Sequence, residues 1–149
     1  MYKKILIAAD GSVHAINAVK QAVELQKIMN SKVVIIHSIK DDRTASELYP
    51  NVDVLFSKYG TLKEVYKEAG MILLDETRKT FGVEQKAVET RLIEDESAGD
   101  YICRIAEEEN FDLIILGSRG KHSKIKKAFL GTVSTKVAKN APCDVLIVK

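Results

Sequence analysis

Residues 116–132 read LGSRGKHSKIKKAFLGT, with three glycines, five cationic side chains and a closing threonine. These residue types suit an anion. Bare glycines leave no side chain between backbone N–H groups and a ligand, and Gly117 and Gly120 can adopt positive φ. Successive N–H groups in such a turn form an anion-binding hollow. Gly131-Thr132 then opens a helical pattern, and a helix start offers free N–H groups and about half a positive charge to a phosphate. The Thr132 hydroxyl can donate to a phosphate oxygen or cap its own helix. Arg119, Lys121, Lys124, Lys126 and Lys127 are either counter-charges to that anion or a solvated face. The segment is neither a Walker loop nor a G-x-G-x-x-G turn.

Asp10 is the second chemical candidate, in Asp10-Gly11-Ser12 after an apolar run. Its carboxylate can hold a ribose hydroxyl, or a metal beside the phosphates. It can equally be a turn or capping residue.

The elements that must position these residues follow from hydrophobic period. Residues 4–9 read as a buried strand stopped by turn residues. Residues 13–29 have helical spacing, with Ala15, Ile16, Val19, Ala22 and Val23 on one face, Ser12 as N-cap and Asn30-Ser31 as the end. Residues 33–37 form a second apolar strand, and 40–57 a loop with at most a short helical turn. A long helix is expected over about 58–80 with Leu62, Val65, Tyr66, Ala69, Ile72 and Leu73 inward; Gly70 in its middle has no explanation in the sequence. Residues 83–93 alternate and carry charge, as at a sheet edge. A helix over 98–110, a strand over 113–116, a helix over about 132–139 and a strand over 145–148 complete the chain.

Strands separated by helices run parallel, so both faces of the sheet are covered. The expected fold is therefore a three-layer, doubly wound α/β sheet in a single domain, 1–149. Ligands in such sheets bind beyond the carboxyl ends of the strands, where strand order reverses. The ends of the first and fourth strands are Asp10-Gly11-Ser12 and Gly117-Ser118-Arg119-Gly120.

The net charge of +2 is too small for a protein whose main partner is nucleic acid. No run approaches a membrane span, and the apolar run at the start is too short for a signal peptide. Cys103 and Cys143 are expected to be reduced, structural and cytoplasmic.

Taken in order, these pieces resemble the universal stress protein family across nearly the whole chain. KKILIAADGSVHAINAVKQAVELQK is similar to its first strand, acidic turn and first helix, and VVIIHSIKD to its second strand. AEEENFDLIILGSRG followed by GTVSTKVAKNAPCDVLIVK resembles its nucleotide-binding branch, which carries G-x-x-G, nine residues, then G-[ST]. Here ten residues, Lys121 to Leu130, separate the glycines. The resemblance implies an adenine nucleotide α-hydrolase-like sheet of order 3-2-1-4-5, often dimeric, with ATP at the strand ends and Mg2+ accompanying it. By position it implies Asp10 at the ribose or metal and the backbone near Ser38 and Ile39 at the adenine. It implies Leu116, Gly117, Arg119 and Gly120 bordering ribose and phosphates, and Gly131, Thr132 and Val133 holding phosphates.

The expected activity is nucleotide-dependent regulation of an unidentified protein partner, with at most slow hydrolysis. The alternative is a dimeric stress scaffold without nucleotide. An adenylylating enzyme would carry S-G-G-x-[DS]-S after the first strand, and this chain does not. His37 is expected to be a hydrogen-bonded structural residue, His122 a solvated loop residue, and His14 to lack a serine or cysteine partner. No side-chain cluster has metal-site spacing. Val145–Val148, an apolar final strand, is expected at an edge that pairs with its copy in a homodimer.

Overall fold

The computed structural model describes residues 1–40, 52–120 and 130–149. Lys121, His122, Lys124, Lys126 and Lys127 lie outside them. Five strands alternate with helices: β1 (Lys4–Ala8), α1 (Val13–Met29), β2 (Lys32–Ser38), α2 (Val52–Tyr59), α3 (Leu62–Lys79), a short 3-10 helix (Gly82–Ala87), β3 (Val88–Ile93), α4 (Ala98–Glu108), β4 (Leu113–Gly117), α5 (Thr132–Asn140) and β5 (Asp144–Val148). All strand pairs are parallel, in the order β3-β2-β1-β4-β5. Strand order reverses between β1 and β4, so Asp10 and the Gly117–Gly120 turn share the open end of the sheet.

Alternation along each central strand feeds two cores. Ile5, Ile7, Val33, Ile35 and Ile115 face α1 and α3, packing on Ala18, Val19, Ala22 and Leu74. Leu6, Val34, Ile36, Ile114 and Leu116 face the other way, onto Ile102, Ile105 and Ala106 of α4 and Val137 of α5. Ile16, expected on the inward face of α1, is 48% exposed; the buried stripe instead runs through Ala15, Ala18, Val19, Ala22 and Gln26. The caps of α1 are as expected, with Ser12 Oγ accepting from Ala15 N and Asn30 closing the helix in the left-handed conformation.

The single helix expected over 58–80 is two helices. Gly60 sits at φ +78, and Thr61 caps α3 by accepting from Glu64 N while its hydroxyl donates to the Glu64 carboxylate. The T-x-x-E pattern behind this side-chain cap was present in the sequence. Leu62, in its first turn, is 56% exposed and lies outside the buried stripe of Val65, Ala69 and Leu74. Residues 52–59 exceed the short helical turn expected between 40 and 57. The edge strand begins at Val88, after the 3-10 helix, rather than at Val83.

Gly70 is explained by packing. A Cβ there would lie 2.7 Å from Leu92 Cδ1, 3.2 Å from His37 Cδ2 and 3.3 Å from Ile39 Cγ2. The glycine lets α3 lie close on the ends of β2 and β3. Gly70→Ala would gain about 1 kcal/mol of helix propensity, yet must displace three side chains, at a typical cost of 1–3 kcal/mol. We expect a net loss of about 1 kcal/mol in urea unfolding; a stabilised variant would show that the contact relaxes freely.

Candidate functional site

The first chemical candidate is assembled from three loops. Asp10 follows β1, and its Oδ1 accepts from Ser12 N at 2.9 Å. Its other oxygen points to Gly120, where an added Cβ would lie 3.0 Å from Oδ2. One carboxylate oxygen thus shapes the turn and the other faces the glycine segment, so the turn role and the binding role are compatible.

The two glycine pairs, ten residues apart, meet in space. Gly131 N donates to Ser118 O at 2.7 Å. A Cβ on Gly131 would lie 3.2 Å from Arg119 Cα and 3.5 Å from Gly120 N. Ser134 Oγ donates to Ser118 O at 2.8 Å, with Gly131 O at 3.1 Å, and Ser118 N donates to Val148 O at 2.7 Å. The peptide at Ser118 therefore joins β4, β5 and the start of α5. The longer spacing between Gly120 and Gly131 does not separate the two halves.

Positive φ is not the reason for the site glycines: among all glycines it occurs at Gly11, Gly60 and Gly82. Gly117 is required by close approach, since a Cβ would lie 2.7 Å from both Ala15 N and His14 C. Gly131 is the N-cap of α5, with no side chain to cap it. Thr132 consequently occupies the first helical position rather than the cap. The Gly131 amide, expected at a phosphate, is used by Ser118 O; the first-turn amides, from Thr132 onward, are those that a helix start leaves without intrahelical partners. Ser12 and Thr61 cap α1 and α3 through their side chains, whereas α4, with Ser97 as N-cap, and α5 both begin without a side-chain cap. Lys136 pairs with Asp100 of α4, which fixes α5 against its neighbour.

At the β2 end, Ser38 Oγ donates to Glu96 O at 2.7 Å, and Ile39 N donates to Ile93 O at 2.9 Å. The Ile39 N–H is thus committed within the sheet, leaving its carbonyl as the group with which that residue could meet a base. Leu116 is buried in the core and offers only backbone to the site. Val133 is 36% exposed, beside the exposed Thr132.

His37 is structural, as expected: it is buried, and its Nδ1–H donates to Ala9 O at 2.7 Å. The expectation for His14 is corrected. Its Nδ1 lies 2.5 Å from Ser118 Oγ. The two residues are 104 positions apart, so local spacing could not pair them; nor did it single out Ser134. Burial pushes the Cys103 and Cys143 thiols up, which disfavours the reactive thiolate. Among the described residues there is no group of three or more His, Cys, Asp or Glu able to hold a metal, and no helix long and apolar enough to cross a membrane.

A doubly wound parallel sheet of this order, with its candidate site at the β1–β4 switch, defines an α/β protein of the adenine nucleotide α-hydrolase-like kind. The family model described as "Universal stress protein family" matches residues 1–149, and the chain belongs to that family. It is 31% identical over 150 residues to universal stress protein MJ0531 of Methanocaldococcus jannaschii, covering 100% of this chain and 83% of that protein. It is similar to the solved structure of hypothetical protein MJ0577, described as a structure-based assignment of biochemical function. The TM-score there is 0.77 at 28% identity, covering 100% of this chain and 96% of that one. A universal stress protein solved in complex with cAMP matches with a TM-score of 0.63 at 27% identity, covering 99% and 97%.

Proposed function

We propose that this chain binds an adenine nucleotide, ATP, across the Gly117–Gly120 turn and the start of α5, and acts in the cytoplasm as a nucleotide-dependent regulatory protein. The observation that carries this reading is the meeting of an uncapped helix start with a glycine turn that also faces a free Asp10 oxygen. Phosphates would take the first-turn amides of α5, where the helix dipole favours negative charge. Arg119 would add charge, Asp10 would take the ribose or the accompanying cation, and the Ile39 carbonyl would accept from the adenine amino group. A single free carboxylate oxygen suits Mg2+, which retains several waters and is commonly held by one or two carboxylates together with substrate phosphates. The cAMP complex of a relative supports the ligand class.

β5 lies at the outer edge of the sheet, with Leu146 exposed and Val145, Ile147 and Val148 half-buried. We propose that Val145–Val148 pairs with its copy in a homodimer, and that nucleotide occupancy alters which protein partner docks.

A dimeric scaffold without nucleotide is the second reading. It is favoured by the packing contacts that explain Gly117 and Gly131 without any ligand. Titration calorimetry with Mg-ATP separates the two. We expect saturable heat and, at about a hundredfold excess over Kd, about 2.7 kcal/mol of added stability. No heat and no thermal shift at millimolar nucleotide would establish the scaffold.

A further inference from the structure

A cavity of about 440 Å3 lies between α1 and the end of α3. Among the described residues, neither Asp10 nor any residue of the Gly117–Gly120 turn or of α5 lines it. Buried Ala9, Ala15 and Val19 form its bed, and Ile16 stands at its open side. Ile16 fits the inward period of α1 yet is 48% exposed; a place on the wall of an open trough accounts for both. The α1 residues that line the cavity run from Ala15 to Glu24, ~14 Å along the helix axis. A volume of that size is therefore drawn out to a section of about 30 Å2. One end narrows at Gly11, where an added Cβ would lie 3.2 Å from Leu73 Cδ1. Thr77 and Thr80 lie at the other end.

The polar groups of the rim are few, and most are already engaged. Thr77 Oγ1 donates to Leu73 O at 2.7 Å and Thr80 Oγ1 to Thr77 O at 2.6 Å, so neither hydroxyl proton is left for a ligand. Glu24 pairs with Lys27 at 2.8 Å. Lys20 lines the same rim one turn before Glu24, is exposed, and has no ion pair among the described residues. A lysine stem lies along apolar surface while its ammonium stays in water. The cavity thus joins a long apolar bed to a single unengaged cation.

We propose that this trough binds the anion of a medium-chain fatty acid, with the alkyl chain between α1 and α3 and the carboxylate at the Lys20 ammonium. Ligand cavities of this size are mostly apolar, with a few polar groups that fix orientation. An extended zigzag of ~1.5 Å carbon–carbon bonds covers the length of the trough in about ten carbons. The carboxylate is an acceptor only, which matches a rim whose unengaged side-chain donor is Lys20. The site does not rest on the nucleotide-binding reading. It borders the proposed nucleotide site, since Ala9 and Gly11 flank Asp10, but does not overlap it, so both ligands should bind together.

The test is titration calorimetry of the full chain with octanoate, nonanoate and decanoate below their micelle-forming concentrations, repeated with Mg-ATP present. One saturable site is expected, tightening about fourfold for each added methylene. Amide shifts of Ala15, Val19 and Thr77 in NMR should move with occupancy. Lys20→Met keeps an apolar stem and should weaken decanoate about fivefold, while 1-decanol binds parent and variant alike. Val23→Phe fills the trough and should abolish binding; should it fail to fold, the chain-length series and Lys20→Met still decide. No binding, an affinity indifferent to chain length, or equal decanoate affinity in Lys20→Met overturns the inference. Displacement of decanoate by Mg-ATP also overturns it, placing the acid in the nucleotide site and leaving the nucleotide reading intact. If a second copy of the chain fills the trough instead, the same amide shifts will follow protein dilution rather than decanoate, and the inference falls.

Discussion

Gly120→Val is expected to fold and to bind nucleotide at least about a hundredfold more weakly, a loss of about 2.7 kcal/mol. The position tolerates a side chain as far as the fold is concerned. Its φ is outside the left-handed region, and among the described residues the contact to an added Cβ within 4 Å is Asp10 Oδ2, at 3.0 Å. A carboxylate end can swing away at small cost, so unfolding in urea should change by less than about 1 kcal/mol, as for substitutions outside the core. Binding has no such freedom. A branched side chain would enter the space between the turn and Asp10, where the proposed reading has backbone approach phosphate. It would also push aside the Asp10 oxygen assigned to ribose or cation. Two contacts are therefore lost by one change. Calorimetry with Mg-ATP reads the effect, and an affinity equal to the parent's would mean that the site lies elsewhere.

Period and turn chemistry made most of the architecture legible. Solid apolar runs marked β1, β2 and β4, because strands buried on both faces need no alternation; β5, equally apolar in sequence, lies half-buried at the sheet edge. Failures fell where a local signal was overridden or overlooked. Gly60-Thr61 carried a break and a capping box, but helical spacing on both sides made the segment read as one helix. Ile16 matched the helical period and still faces outward, because the stripe that meets the sheet is centred on Ala18 and Ala22. Gly70 has no meaning until Leu92 and His37 are brought beneath it. The candidate site divides the same way. Asp10 and the glycine turn could be read from their places after apolar strands. That Gly117 serves helix approach, that the Gly131 amide serves Ser118, and that His14 meets Ser118 depend on contacts across more than a hundred or at least a dozen residues. Pairings of that kind have no local signature.

The largest stability effect is expected at Gly117. Gly117→Ala should cost about 3 kcal/mol or more, at the upper end of overpacking effects. The added methyl would lie 2.7 Å from Ala15 N, 2.7 Å from His14 C and 2.8 Å from His14 Cβ. Two of these atoms are backbone, so no rotamer change relieves the contact; the first turn of α1 must move. That turn is tied on several sides. Ser12 Oγ caps Ala15 N, Asp10 Oδ1 holds Ser12 N, and Asn17 Nδ2 donates to Lys149 O at 3.0 Å. Ala18, Val19 and Ala22 are locked into the core beneath. Because folded domains retain only about 5–15 kcal/mol, such a loss would show as a clear fall in the urea midpoint with the slope unchanged. Gly120→Ala is the internal comparison: the same methyl, three residues on, meets a movable carboxylate and should cost less than about 1 kcal/mol. Equal effects at the two positions would mean that α1 is free to slide. A large effect at Gly117 alone would identify it as the point where the helix bearing His14 is clamped to the strand end bearing Ser118.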